Sequence, residues 1–182
     1  MSAVFQKYGI KNANGRIYPE AILKREVQKY LENQVANHRA VGSLDHPSSS
    51  TLSGHDVSHN ILDLRWEGRT LVGEMKLHLS PGFKQYGICS TSGDLAASMI
   101  IDGIQIGVSS RAVGSVEQKM GVLMVGDDLE LVCWDIVLEP STNGSWIASN
   151  MNDLQQYIES EERYGNSMIE KVNRIKNILG HQ

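Results

Sequence analysis

VSHNILDLRWEGRTLVGEMKLHL occupies residues 57–79. Val57 to Trp66 and Thr70 to Leu79 are rich in Val, Ile, Leu and Trp, and Glu67-Gly68-Arg69 separates them, so the stretch reads as a β-hairpin. Downstream, SPGFKQYG at 80–87 supplies a Pro-Gly turn, and a short helix is expected from Asp94 to Ile101, with Gly103 to end it. Three further strand segments follow: IQIGVSSRAV at 104–113, GSVEQKMGVLMVG at 114–126 and LELVCWDIVLEP at 129–140. Upstream, Asn14-Gly15 marks a turn, and Pro19 falls in the first turn of an amphipathic helix with Ile22, Leu23, Val27, Tyr30 and Leu31 on one side. One helix, several antiparallel strands, a short inserted helix and more strands argue for an α+β domain built on a mainly antiparallel sheet or barrel.

Beyond Pro140 the composition shifts. STNGSW reads as a loop, after which Leu154, Ile158, Met168, Val172, Ile175 and Leu179 recur at helical spacing, interrupted by Gly165. The chain therefore divides into a main domain over residues 1–150 and a helical segment over 151–182. That segment either packs on the sheet or on a second copy of the chain, as in a homo-oligomer, or forms a detachable tail.

With 182 residues the chain suits one domain with an appendage, able to bury roughly two thirds of its unfolded surface. Cys89 and Cys133 form no C-x-x-C pair and have apolar or small neighbours, which points to reduced core thiols. The opening MSAVFQKYGIKNANGR has no apolar leader, and no run of about 18 apolar residues appears anywhere, so a soluble, cytoplasmic protein without a membrane span is expected. The formal net charge is -4 and the cations are scattered. That leaves no basic stripe for nucleic acid and makes protein the expected partner.

Three segments place reactive side chains at the ends of apolar runs, where a rigid scaffold can present them to a cleft: SLDHP, GVSSR and CWDIV. A serine hydrolase needs a hydroxyl, an imidazole to take its proton and a third group to fix the tautomer. His46, Ser109 or Ser110, and Asp135 supply those types. Each also has a plainer role: His46 ending a strand, the serines satisfying turn amides, Asp135 pairing with an arginine. Arg111 stands where a G-x-S-x-G elbow needs its second glycine, which excludes the α/β-hydrolase arrangement.

A rival metal site would draw on Asp45, His46, His55, Asp56 and His59. His55 and His59 are spaced H-x-x-x-H, which aligns two imidazoles on a helix. No glutamate lies between them, and the segment reads as a strand.

Taken together, NANGRIYP, GSLDHP, VSHNILDLRWEG, LSPGF, IGVSSRAVG and WDIVLEPS resemble, in order and approximate spacing from Asn12 to Ile147, the prohead core proteases of T-even-like tailed bacteriophages. These in turn are similar to the herpesvirus assemblins. The resemblance implies a serine endopeptidase with a β-barrel core flanked by helices, acting in the host cytoplasm inside the assembling procapsid, without a cofactor. It implies capsid and scaffold proteins, and the enzyme itself, as substrates, cut after glutamate in an aliphatic-x-Glu context. Met168-Ile169-Glu170 and Tyr157-Ile158-Glu159 fit that pattern loosely.

On the same resemblance His46 matches the general base and Ser109 the nucleophile, with Ser110 the alternative. Asp135 matches the third member, with His59 as the alternative. Arg111 to Gly114 match the oxyanion loop, although Arg111 pairing with an acid is the plainer reading. Two positions depart from the family pattern: Ser43 replaces a glutamate and Ala112 a glycine. A metal-dependent hydrolase using His46, His55 and His59, and a non-catalytic scaffold component, remain the competing classes.

Overall fold

The computed structural model describes residues 1–119 and 121–147. The helical reading of residues 151–182 lies outside the described residues, as does the end of the 1–150 domain. Strands β1 (Ser2–Lys7), β2 (Arg16–Ile17), β3 (Val41–Ser43), β4 (Val57–Glu67) and β5 (Thr70–Leu77) come first in the chain. Then follow β6 (Gly107–Val113), β7 (Val116–Lys119), β8 (Val122–Val125) and β9 (Glu130–Val137). Helix α1 (Glu20–Tyr30) runs into a π-helical turn over Leu31–Val35, and α2 (Pro81–Tyr86) and α3 (Ser92–Ile101) separate β5 from β6.

The hairpin forms as read. β4 and β5 pair antiparallel out to Glu67↔Thr70, and Gly68, at φ +58, takes the first position of the two-residue turn. This hairpin is the centre of a four-stranded sheet in the order β1-β5-β4-β3. β6 and β9 form a second antiparallel pair, joined to the first sheet where Leu44, just past β3, bridges Ile136 in β9. β2, β8 and β7 make a small third sheet.

The strands curl into a half-barrel, and among the described residues no ladder closes it into the full barrel that the resemblance implies. β1 packs beside β6, yet no ladder joins them among the described residues. Side chains fill the seam instead: Gln6 Nε2 donates to Ser110 Oγ at 3.0 Å, and Thr142 Oγ1 donates to Gln6 Oε1.

The α1 stripe holds, with Leu23, Val27 and Tyr30 buried and Ile22 and Leu31 partly so. Tyr30 meets Trp134 edge-on at 5.1 Å between ring centres, and Phe5 meets the same indole at 5.5 Å, so one aromatic of β9 gathers helix and sheet into one core.

Four local expectations change. The Pro-Gly turn is helix α2, because Ser80 caps it by accepting the Phe83 amide at 3.1 Å and Pro81 occupies its first turn, where a missing N–H costs nothing. Helix α3 begins at Ser92 rather than Asp94, since Asp94 is the third helical residue of a capping box with Thr91. The single strand expected over 114–126 is the β7–β8 hairpin, turned at Gly121 with φ +80. Cys89 is exposed and only Cys133 is buried, so the two free thiols are not both in the core. No helix among the described residues is long and apolar enough to cross a membrane.

Candidate active site

The site is built where β3 ends against β9. After Ser43 the chain leaves the sheet. The Asp45 amide donates to Ile136 O at 2.7 Å, and Asp45 adopts φ +63, a left-handed conformation that aspartate tolerates better than most residues. This kink delivers His46 over Asp135, with Nδ1 of the ring 2.7 Å from Oδ2 of the carboxylate. Gly42 makes the approach feasible: a Cβ there would meet Trp134 O at 2.0 Å and His59 Cε1 at 2.5 Å.

Strand register places the serines. Ser109 stands opposite Asp135 and Arg111 opposite Cys133, whereas Ser110 stands opposite Trp134. Directly paired residues share a face of the sheet and neighbours along a strand alternate. Ser109, Arg111, Cys133 and Asp135 therefore lie on one face, and Ser110 faces the Trp134 side, where Gln6 holds its hydroxyl.

Asp135 is fully buried and receives donors on both oxygens. The Ser43 amide reaches Oδ1 at 2.8 Å, Arg111 Nη2 reaches it at 3.1 Å and Cys133 Sγ at 3.3 Å. Arg111 Nε lies 3.0 Å from Oδ2, a charge contact rather than an aligned hydrogen bond. Burial alone would raise this carboxyl, but His46, the Ser43 amide, Arg111 and Cys133 outweigh it and hold it below the usual carboxylate range. An ionised Asp135 only accepts, so Nδ1 of His46 is the donor of this contact, the arrangement that in a neutral ring puts the free lone pair on Nε2.

Arg111 is buried, and Nη1 also donates to Ser49 O at 2.8 Å, tying the serine-rich loop to the site. Its guanidinium thus pairs with the acid, the plainer of its two readings. Gly114 lies past the end of β6, outside the cleft lining, at φ +150 where a Cβ would meet Leu129 Cα at 2.9 Å.

A cleft of about 340 Å³ opens over this cluster. His46, Ser109, Ser110 and Arg111 line it together with Asn14, Arg16, Tyr18, Ser48 to Ser50 and Ser141. His55 and His59 do not reach it. His55 is on the exposed loop before β4, while His59 is buried in β4, its Nδ1 2.9 Å from Ser58 Oγ and its Nε2 without a hydrogen-bond partner. Burial pushes its pKa down to about 4, against the pull of the Asp135 charge and the Trp134 carbonyl. The H-x-x-x-H spacing thus falls on a turn and a strand, and no group of three His, Cys, Asp or Glu side chains among the described residues is arranged to hold a metal ion.

A family model described as prohead core protein serine protease matches residues 1–156. The chain belongs to this family. The prohead core protein protease of Enterobacteria phage T4 is 26% identical over 181 residues, covering 98% of this chain and 82% of the T4 protein. The solved structure of the bacteriophage T4 capsid assembly protease, gp21, superposes with a TM-score of 0.68 at 27% identity, over 77% of this chain and 82% of that one. The half-barrel with its flanking helices is thus the fold of a prohead protease, and the chain is a protease of phage capsid maturation.

Several residues around the cluster had no signal in the sequence. Gln6 comes from the opposite end of the chain, and the Cys133 thiol looked like core filling. Ser43 acts through its backbone amide, which no side-chain pattern reveals. The N-terminal turn bearing Asn14 and Arg16 was legible as a turn, but its place beside the cleft depends on the parallel β2–β8 pairing.

Proposed function

We propose that this prohead protease is a serine endopeptidase in which Ser109 is the nucleophile, His46 the general base and Asp135 the group that orients and charge-stabilises the imidazole. The observation that carries this reading is the 2.7 Å contact between His46 and a buried, ionised Asp135, with Ser109 opposite that aspartate on the neighbouring strand. Ser109 Oγ attacks the scissile carbonyl carbon as His46 Nε2 takes its proton. The tetrahedral intermediate collapses, the C–N bond breaks, and His46 returns the proton to the leaving amine. Water then attacks the acyl-enzyme by the same route, releasing the acid product and restoring Ser109. Backbone amides near Arg111 serve the oxyanion, at about 2.7–4 kcal/mol for each well-placed donor.

The substrates are capsid and scaffold proteins within the assembling procapsid, and the chain itself, cut after glutamate in an aliphatic-x-Glu context. Residues 1–150 form the protease domain, and 151–182 a segment that tethers the zymogen or packs against another copy and is trimmed during maturation. The name of the T4 relative, a capsid assembly protease, supports this substrate class.

The test is intact-mass analysis of wild type, Ser109→Ala, Ser110→Ala and His46→Ala incubated with an aliphatic-x-Glu peptide, with and without EDTA. Cleavage lost in Ser109→Ala and His46→Ala alone, and indifferent to EDTA, is the expected result. Cleavage that survives both serine changes and stops with EDTA would return the histidines to the role of metal ligands.

A further inference from the structure

The cleft has an uneven charge. Among the described residues that line it there is no aspartate or glutamate, and its two arginines are in opposite states. Arg111 is buried and committed to Asp135 and Ser49. Arg16 is exposed, and its guanidinium has no hydrogen-bond or ion-pair partner among the described residues. The rest of the polar lining is neutral: Asn14, Tyr18 and the hydroxyls of Ser48, Ser49, Ser50 and Ser141.

Arg16 also stands on a fixed base. Asn12 binds its backbone at both ends, the Asn12 amide donating to Arg16 O at 2.9 Å and the Arg16 amide donating to Asn12 Oδ1 at 3.0 Å. The Gly15 amide closes the turn on Asn12 O at 2.9 Å, with Gly15 at φ +76, where only glycine is unstrained. Ala13 ties the turn to Ser141 O at 2.9 Å, and β2 pairs Arg16 with Leu123. The backbone is held from three directions while the side chain is left free. A planar fork with no internal acid, mounted rigidly beside a peptide-cutting centre, suits a carboxylate from outside.

We infer that Arg16 is a specificity-determining residue, whose guanidinium pairs with an acidic side chain of the bound polypeptide and so selects which bond lies over Ser109. The inference rests on the serine protease reading and adds the residue that reads the substrate. The neighbouring hydroxyls complete the recognition, since a carboxylate accepts more hydrogen bonds than one guanidinium supplies. An arginine of this kind discriminates an ionised carboxylate from the isosteric amide, because the amide turns an NH2 donor toward another donor.

The experiment uses two peptides identical except for glutamate or glutamine at the residue before the scissile bond. Wild type is expected to favour the glutamate peptide by roughly tenfold in kcat/KM, a ratio that shrinks as salt is raised. Arg16→Gln should bring the ratio close to one, Arg16→Lys should keep part of it, and Arg16→Glu should favour a lysine peptide. The Ser109→Ala protein, with and without Arg16→Gln, is titrated with the same labelled peptides by fluorescence anisotropy, so the preference is read as a Kd ratio independent of turnover. Circular dichroism of each Arg16 variant confirms that it is folded. A Glu/Gln ratio unchanged by Arg16→Gln, or absent from wild type in both assays, overturns the inference even if Ser109 proves catalytic. Cleavage that persists in Ser109→Ala overturns the serine reading instead, while the Kd ratio still decides Arg16.

Discussion

Ser109 and Asp135 stand directly opposite one another on neighbouring antiparallel strands, and Ser110 stands opposite Trp134. One residue of register separates a hydroxyl on the face of the charged cluster from a hydroxyl bound to Gln6. The two serines should therefore respond differently to removal. Ser109→Ala is expected to lower kcat by about 10⁴-fold or more, as removing a triad nucleophile does elsewhere. Ser110→Ala should leave kcat within about tenfold and instead cost about 1 kcal/mol of stability by freeing Gln6 Nε2. Urea unfolding beside peptide kinetics separates the two effects, and the reverse pattern would make Ser110 the nucleophile.

In the proposed triad Asp135 joins catalysis to folding. It balances the charge of Arg111 and holds His46 Nδ1 at 2.7 Å, so Asp135→Asn should fail twice. Replacing a carboxylate oxygen with an NH2 donor facing Nδ1 favours the wrong imidazole tautomer and is expected to cost about 10⁴-fold in kcat. Loss of the anion leaves a buried guanidinium uncompensated, at roughly 3–5 kcal/mol. The double change Asp135→Asn with Arg111→Met should recover much of the stability and none of the activity. If melting of the double variant were no better than that of Asp135→Asn, Arg111 would not be the source of the cost.

What the sequence made legible follows from how local each signal is. The β4–β5 hairpin and the face of α1 were readable because period and turn chemistry act within a few residues. His46, Ser109 and Asp135 were readable as types at strand ends, and their order resembled a family. The different surroundings of Ser109 and Ser110 were not, since they hang on the register of β6 against β9 across some twenty-five residues of intervening chain. Nor was the open seam of the barrel, where Gln6, Ser110 and Thr142 meet from three distant parts of the chain. α2 was misread because Pro-Gly signals a turn on its own and a helix start when a serine precedes it.

The two thiols should behave differently toward a maleimide. Cys89 is exposed, while Cys133 is buried against Arg111 and Asp135, and burial pushes its thiol up to about 12, so almost no thiolate forms at neutral pH. Intact mass of the native protein at pH 7.5 should show one adduct, mapped to Cys89, and a second only in denaturant. Rapid double labelling under native conditions would mean that the Asp135 cluster opens far more readily than its packing implies.

His59 makes stability fall with acid before the carboxylates do. Its pKa in the folded protein is about 4, below the ordinary histidine value of 6.5, because burial of the ring outweighs the opposing pull of the Asp135 charge and the Trp134 carbonyl. A depressed histidine leaves the unfolded chain binding more protons than the folded one, so stability rises with pH across the window between those two values. Falling from pH 6.5 toward pH 4 therefore costs on the order of 3 kcal/mol from this residue alone. Asp135 has the other sign of ionisation and the same direction: its depressed carboxyl contributes above the ordinary aspartate value and is lost only as pH falls through its lower folded value. The two losses are thus ordered, His59 first. Urea midpoints at half-unit intervals from pH 7.5 to 4 should fall steadily for wild type and flatten in His59→Gln, with Asp135 dominating only below that range. A wild-type midpoint that stayed level from pH 6.5 to 4.5 would mean that the buried ring takes up a proton without unfolding, and that its environment is more polar than the space between Gly42 and Ser58 indicates.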